Sequence, residues 1–291
     1  MRFDMSMWLH QAEHNWYTVN GLIYPGVFIF VIFWVFAFGA CVGSFLNVCI
    51  WRIPRRESLS KEASHCTSCG AKIHWYDNIP IVSYLVLRGR CRACKESYSS
   101  SYFWIELTCA VLVSLVFWKT GWCGQSASVI PARMIMVFIG VACAMTDLRS
   151  KSVPDKLTFT GMFLGLLAAY FLPGAWSAED GCQALLYALA SGIVPGWILL
   201  VFAEVGRLIA RKEVIGMGDV KFITMCGILL GFPGALFVLL GGSLLGSLWG
   251  IAVKRSFSAQ LPFVPFLTAA ALGWIFFDQQ ILNFYLGLFI K

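Results

Sequence analysis

Eight apolar runs, separated by short polar stretches, constrain this chain more than any other feature of its sequence. A helix needs roughly 20 apolar residues to cross the hydrocarbon core of a bilayer. The runs cover residues 26–50, 102–118, 129–146, 157–174, 184–206, 222–232, 234–253 and 263–288. The sixth and seventh are parted only by Gly231-Phe232-Pro233-Gly234, a tight turn, and the short sixth run could extend back through Lys221. Only 13% of the residues are charged and 59% are hydrophobic, whereas a soluble domain carries about 25% charged residues. The expected fold is therefore an all-α polytopic membrane protein with about eight transmembrane helices. Residues 1–20 include Asp4 and Glu13 and lack an apolar core, so no cleaved signal peptide is expected and the first run reads as a retained helix.

Charge sets the expected orientation. Arg52, Arg55, Arg56, Lys61, Lys72, Arg88, Arg90, Arg92 and Lys95 fall between the first and second runs. Later clusters are Arg149/Lys151/Lys156, Arg207/Arg211/Lys212/Lys221 and Lys254/Arg255. All lie on one side if eight spans alternate, and the opposite loops hold little besides Lys119, Glu179 and Asp180. By the positive-inside rule the basic loops are cytoplasmic and both termini external. Basic loops beside anionic lipid account for the net charge of +7, and no nucleic-acid partner is required.

The organisation expected is an external segment over 1–25, a first transmembrane helix over 26–50, a cytoplasmic segment over 51–101 and a membrane domain over 102–291. About fifty residues cannot build a strong core alone, so the cytoplasmic segment needs a staple. Cys66-Thr67-Ser68-Cys69 and Cys91-Arg92-Ala93-Cys94 provide paired CxxC spacing close to a zinc ribbon. Four thiolates would close a tetrahedral structural Zn2+ site. Two disulfides or four free thiols are the alternatives, and a reducing cytosol disfavours disulfides. His65 and His74 are alternative ligands that four cysteines make unnecessary. Cys41, Cys49, Cys109, Cys143 and Cys226 read as small packing residues. Cys123 and Cys182 fall in external loops, where a disulfide between them is open.

Carboxylates carry the candidate chemistry. Asp147 ends the third run in Met145-Thr146-Asp147-Leu148-Arg149, and Asp219 lies in Gly216-Met217-Gly218-Asp219. The alternating topology puts both on one membrane face at similar depth. Two carboxylates a few ångströms apart titrate as a unit, giving one acid and one base, and such a pair hydrolyses peptides without metal or covalent intermediate. Each alone has a plainer reading: Asp147 paired with Arg149, and Asp219 with Lys221. Asp155, after Pro154, reads as a helix N-terminal acid.

Together these residues resemble the prepilin peptidases, the type IV leader peptidases of pilus and type II secretion systems. The resemblance runs from about Gly39 through Gly43-Ser44-Phe45-Leu46-Asn47-Val48, the paired CxxC, Tyr76-Asp77-Asn78-Ile79-Pro80-Ile81, Leu87-Arg88-Gly89-Arg90-Cys91 and Glu106. It continues through Asp147, Val153-Pro154-Asp155, Gly216-Met217-Gly218-Asp219-Val220-Lys221 and Pro262-Phe263-Val264-Pro265-Phe266-Leu267. Thr67 replaces a common proline and Val264 a common glycine. The resemblance implies a GxGD aspartic dyad of Asp147 and Asp219 in a multi-pass protein of the bacterial inner membrane. It implies cleavage after a glycine in prepilins or pseudopilins, then N-methylation by S-adenosylmethionine, whose binding residues no fingerprint in this sequence reveals. The basic leader would meet Glu57, Glu62, Asp77 or Glu96. The rival expectations are a proton- or ion-coupled membrane transporter with a structural zinc segment, and a non-catalytic assembly platform.

Overall fold

The computed structural model describes residues 18–19, 22–23, 25–59, 65–66, 68–122, 124–211, 215–254 and 262–289. Cys123 lies outside them, so the Cys123–Cys182 pairing and the external segment as a whole fall outside the structural account, apart from a two-residue ladder pairing β1 (Thr18–Val19) with β2 (Leu22–Ile23). The chain divides into two compact units at Gly124.

The first unit contains α1 (Pro25–Arg52), α2 (Val82–Leu87) and α3 (Ser101–Trp122). Pro25 suits the first helical position, where its missing N–H has no partner to lose. The long helices α1 and α3 run antiparallel. Gly39 lies against the Ala110 backbone, and Gly43 against Glu106 and Cys109. A Cβ at either glycine would strike the neighbouring backbone, so this Gly-xxx-Gly spacing sets how near the helices come, the usual device where lipid supplies no hydrophobic drive between helices. This packing places α3 in the first unit.

The second unit holds α4 (Val129–Ser150), α5 (Asp155–Phe171), α6 (Gly181–Ala210), α7 (Met217–Trp249) and α8 (Val264–Phe289). Among the described residues, five helices are long and apolar enough to cross a membrane: those over 26–52, 101–121, 129–150, 181–209 and 217–252. The protein is thus multi-pass. The 17-residue α5 and the 26-residue α8 form where apolar runs were expected but lie outside that set of five.

The 33 residues of α7 would span about 50 Å if straight, well beyond a bilayer core. They do not run straight. Gly231 has φ 76° and ψ 170°, a combination essentially confined to glycine, and Pro233 follows it. Before the break, Cys226 meets Met136 of α4. After it, Gly234 lies against Trp274 and Gly242 against Leu267 of α8, and Gly246 faces Phe263 and Phe266. The helix α8 itself runs antiparallel to α4, with Val264 at Asp147, Thr268 at Gly140 and Asp278 at Arg133. These contacts require the chain to reverse at 231–233, so the runs 222–232 and 234–253 are two arms of a hairpin. The Trp176 indole donates to the Ile228 carbonyl at 3.1 Å in the last turn before the break. Gly231→Ala is expected to cost about 1–3 kcal/mol in backbone strain, read as a lower apparent melting temperature at fixed scan rate.

The first arm of α7 is the centre of this unit. Gly161 and Gly165 of α5 lie against Met225, Ile228 and Leu229, while Gly192 and Gly196 of α6 lie against Thr224 and Ile228. Phe222, Ile223, Met225 and Cys226 are fully buried as a result. At the end of α4 away from Asp147, Arg133 donates to Asp278 at 2.6 Å and to Gln125 at 2.5 Å. This buried ion pair and the Asp147–Val264 hydrogen bond tie α8 to both ends of α4.

Candidate active site and metal centre

Asp147 lies in the last turn of α4, where Lys151 in the left-handed conformation ends the helix. Its carboxylate is buried, with 6% of the residue exposed, and Oδ2 accepts the Val264 N–H at 3.1 Å. Val264 is the first residue of α8, so its N–H has no partner within that helix and is free to donate outward. The Pro262–Leu267 stretch thus supplies a backbone donor to Asp147, which reading the sequence did not anticipate.

Asp219 occupies the first turn of α7 and is half-buried. Its N–H donates to the Gly216 carbonyl at 3.0 Å. Asp147 and Asp219, 72 positions apart in the sequence, stand near enough for the charge of one to act on the other. Gly218 lies against Val153, where a Cβ would collide with the valine side chain. The smallest residue therefore lets the start of α7 seat on the α4–α5 connection.

Asp155 and Lys221 form a separate pair at 2.6 Å, joining the starts of α5 and α7. Lys221 also lies 5.7 Å from the Phe159 ring centroid. The plainer reading of Asp219 as the partner of Lys221 therefore fails: residues two apart on a helix point to different sides, and Lys221 turns to Asp155. Asp155 is the first residue of α5, as its position after Pro154 implied.

In the first unit, the sulfurs of Cys66, Cys69, Cys91 and Cys94 all lie within 4.8 Å of one another. Each CxxC forms the same knuckle. Cys66 N–H donates to Ala71 and Gly70 N–H back to Cys66, while Cys91 N–H donates to Glu96 and Lys95 N–H back to Cys91, at 2.8 to 3.0 Å. The bridges His65–Lys72 and Arg90–Ser97 close the two loops. Cys66 and Cys94 Sγ are 3.8 Å apart, the edge of a tetrahedron with metal–sulfur bonds of about 2.3 Å. The Cys69 and Ser68 N–H groups bring the Cys66 thiol down to about 6. At Cys94 the Glu96 N–H pulls the same way, but burial and the other three sulfurs prevail and push it up to about 12. Four converging sulfurs ionise together only around a cation, and this donor set fits a metal ion.

Other sequence motifs have structural duties. Glu106 Oε2 accepts the Ile81 N–H at 2.7 Å, and Asn47 donates to the Tyr102 carbonyl at 3.1 Å. Asp77 is held by Arg92 through Nε at 2.9 and 3.0 Å and through a terminal nitrogen at 2.6 Å. The guanidinium keeps the Asp77 carboxyl below the usual carboxylate range. Of the acids expected to meet a basic leader, Asp77 is thus already engaged, Glu57 and Glu96 are exposed, and Glu62 lies outside the described residues.

Comparison with known proteins agrees with both units. The model of the bacterial peptidase A24 N-terminal domain matches residues 37–120, and that of the type IV leader peptidase family matches residues 134–251. The chain belongs to the type IV leader peptidase family. It is 32% identical over 265 residues to a prepilin leader peptidase/N-methyltransferase of Pseudomonas putida, covering 81% of this chain and 86% of that protein. It is 31% identical over 278 residues to the Pseudomonas aeruginosa protein of the same name, covering 85% and 91%. A type 4 prepilin-like proteins leader peptide-processing enzyme of Escherichia coli is 31% identical over 259 residues, covering 82% and 91%. No solved structure matches the chain.

Proposed function

We propose that this protein is a bifunctional prepilin peptidase of the bacterial inner membrane, with Asp147 and Asp219 as its acid–base pair. The observation that carries this reading is that carboxylates from two different helix ends stand near enough for their charges to act on each other, with the Val264 N–H holding one of them. One carboxylate takes a proton from water, and the water oxygen attacks the carbonyl carbon of the glycine before the scissile bond. The other carboxyl gives its proton to the departing amide nitrogen as the C–N bond breaks. The Val264 N–H, together with the neighbouring Phe263 N–H, holds the Asp147 carboxylate from the start of α8 and so sets its orientation in the pair. A site at the ends of membrane helices suits a substrate whose basic leader lies in the cytoplasm and whose mature segment is an apolar helix. Substrates are type IV prepilins or type II secretion pseudopilins, and the membrane lipid is the solvent for both partners.

The relatives' names support a second step, methylation of the new N-terminal amine by S-adenosylmethionine. Cys66, Cys69, Cys91 and Cys94 would hold a structural Zn2+ that staples the cysteine segment. Incubating a model prepilin with membranes carrying this protein, with and without S-adenosylmethionine, tests the reading. The expected products are a peptide cut after glycine and, with the methyl donor, one methyl group heavier. An intact prepilin together with proton or ion flux would favour the transporter instead.

Asp155 and Lys221 set the approach of α5 and α7 without touching the reacting atoms. The pair is substantially exposed, with side-chain exposures of 59% and 27%, and such pairs contribute about 0–1 kcal/mol. Asp155→Asn should therefore retain cleavage within about fivefold of wild type, measured as the initial rate of prepilin processing.

A further inference from the structure

A cavity of about 350 Å³ beside the cysteine cluster is lined by Val86, Leu87, Arg88, Arg90, Cys91 and Lys95. Arg88, Arg90 and Lys95 form no ion pair among the described residues. Arg88 and Gly89 adopt φ of 53° and 67°, and Lys95 one of 60°, so two tight turns gather three cations on one rim. Three uncompensated cations around a concavity call for an anion, and guanidinium groups match the geometry of phosphate oxygens.

The adjoining α2 shows what carries that anion. Its inner face is committed: Ser83 is buried, and the Tyr84 ring stacks on Phe103 at 5.1 Å and meets Tyr98 edge-on at 5.5 Å. Its outer face, Val82, Leu85 and Val86 at helical spacing, is 51%, 60% and 69% exposed, and Trp75 just before it is 79% exposed. The helix is also fixed in depth. Ile81, which precedes it, donates to Glu106 in the second turn of α3, a membrane-crossing helix. An apolar face next to cations, tethered within a turn or two of a bilayer entry point, is the arrangement of an interfacial membrane element.

We propose that α2 and the cavity together bind an acidic phospholipid, with the apolar face among the upper acyl carbons and the headgroup phosphate between Arg88, Arg90 and Lys95. The site does not depend on the peptide-cleaving reading. The cations also keep the cysteine segment pressed to the surface on which α1 and α3 enter.

The test uses the full chain in nanodiscs of phosphatidylcholine, with or without phosphatidylglycerol, reading hydrogen exchange over 82–95 and the phosphatidylglycerol retained in native mass spectra. Exchange should slow and lipid be retained only when phosphatidylglycerol is present. Arg88→Gln, Arg90→Gln and Lys95→Gln should each weaken retention by about fivefold, while Lys156→Gln, removing an exposed charge elsewhere, should not. An unchanged metal content shows that the variants remain folded. Retention equal to wild type in all three variants overturns the proposal. So does protection produced by inorganic phosphate alone in phosphatidylcholine discs, which would assign the cavity to a soluble anion. Protection that arises only on adding prepilin would give the surface to the substrate and overturn it equally.

Discussion

Asp147→Asn and Asp219→Asn are each expected to lower prepilin cleavage by at least about 10²–10⁴-fold, the contribution of a positioned acid or base. Both variants should remain in the membrane at wild-type abundance. Asparagine keeps the volume of aspartate, and its side-chain oxygen at position 147 can still accept the Val264 N–H. What it loses is a group that takes up and gives back a proton near neutral pH. The helices around the site should hold, because their packing comes from the glycine seams of α5, α6 and α7 and from the Arg133–Asp278 pair. A variant that loses activity while melting like wild type therefore separates chemistry from folding. Detection is by mass of the processed peptide in membranes matched for protein content.

Cys66→Ser is expected to take the metal content of the purified protein from one ion per chain to near zero. A serine hydroxyl is a poor replacement for thiolate, and three remaining sulfurs leave an open site. For structural zinc the binding free energy is folding free energy, roughly 10–16 kcal/mol in small zinc peptides near neutral pH. Besides the sulfurs, the knuckles are held by short-range contacts: their own backbone hydrogen bonds, one isolated bridge each at His65–Lys72 and Arg90–Ser97, and the Arg92–Asp77 pair. Hydrogen exchange over residues 65–99 should rise sharply, while α4 to α8 keep their protection. A protein purified without any bound metal, yet with slow exchange in that segment, would remove the structural-metal reading.

Local signals made much of the architecture readable in the sequence. Apolar run length marked the helices, the Gly-Phe-Pro-Gly stretch marked the reversal inside α7, and CxxC spacing marked four sulfurs that do converge. Such features repeat or cluster along the chain and need no knowledge of what packs where. The site was readable only as two residues in suggestive contexts. The Val264 N–H on Asp147 joins positions 117 apart, Lys221–Asp155 joins positions 66 apart, and Arg133–Asp278 positions 145 apart. These follow from helix order and depth in the unit and leave no local trace. Lys221 shows the hazard: beside Asp219 in sequence it looks like its partner, yet helical geometry turns it to another element.

The claim that matters most is that Asp147 and Asp219 work as one unit. It is tested most directly by the initial rate of prepilin cleavage for wild type, Asp147→Asn, Asp219→Asn and the double variant in one membrane preparation. Residues that act as a unit lose nearly everything at the first substitution and little at the second. The double variant is expected to fall to about the same residual rate as either single one. Processing by either single variant at more than about a tenth of the wild-type rate, or a double variant reduced by the product of the two losses, would contradict it.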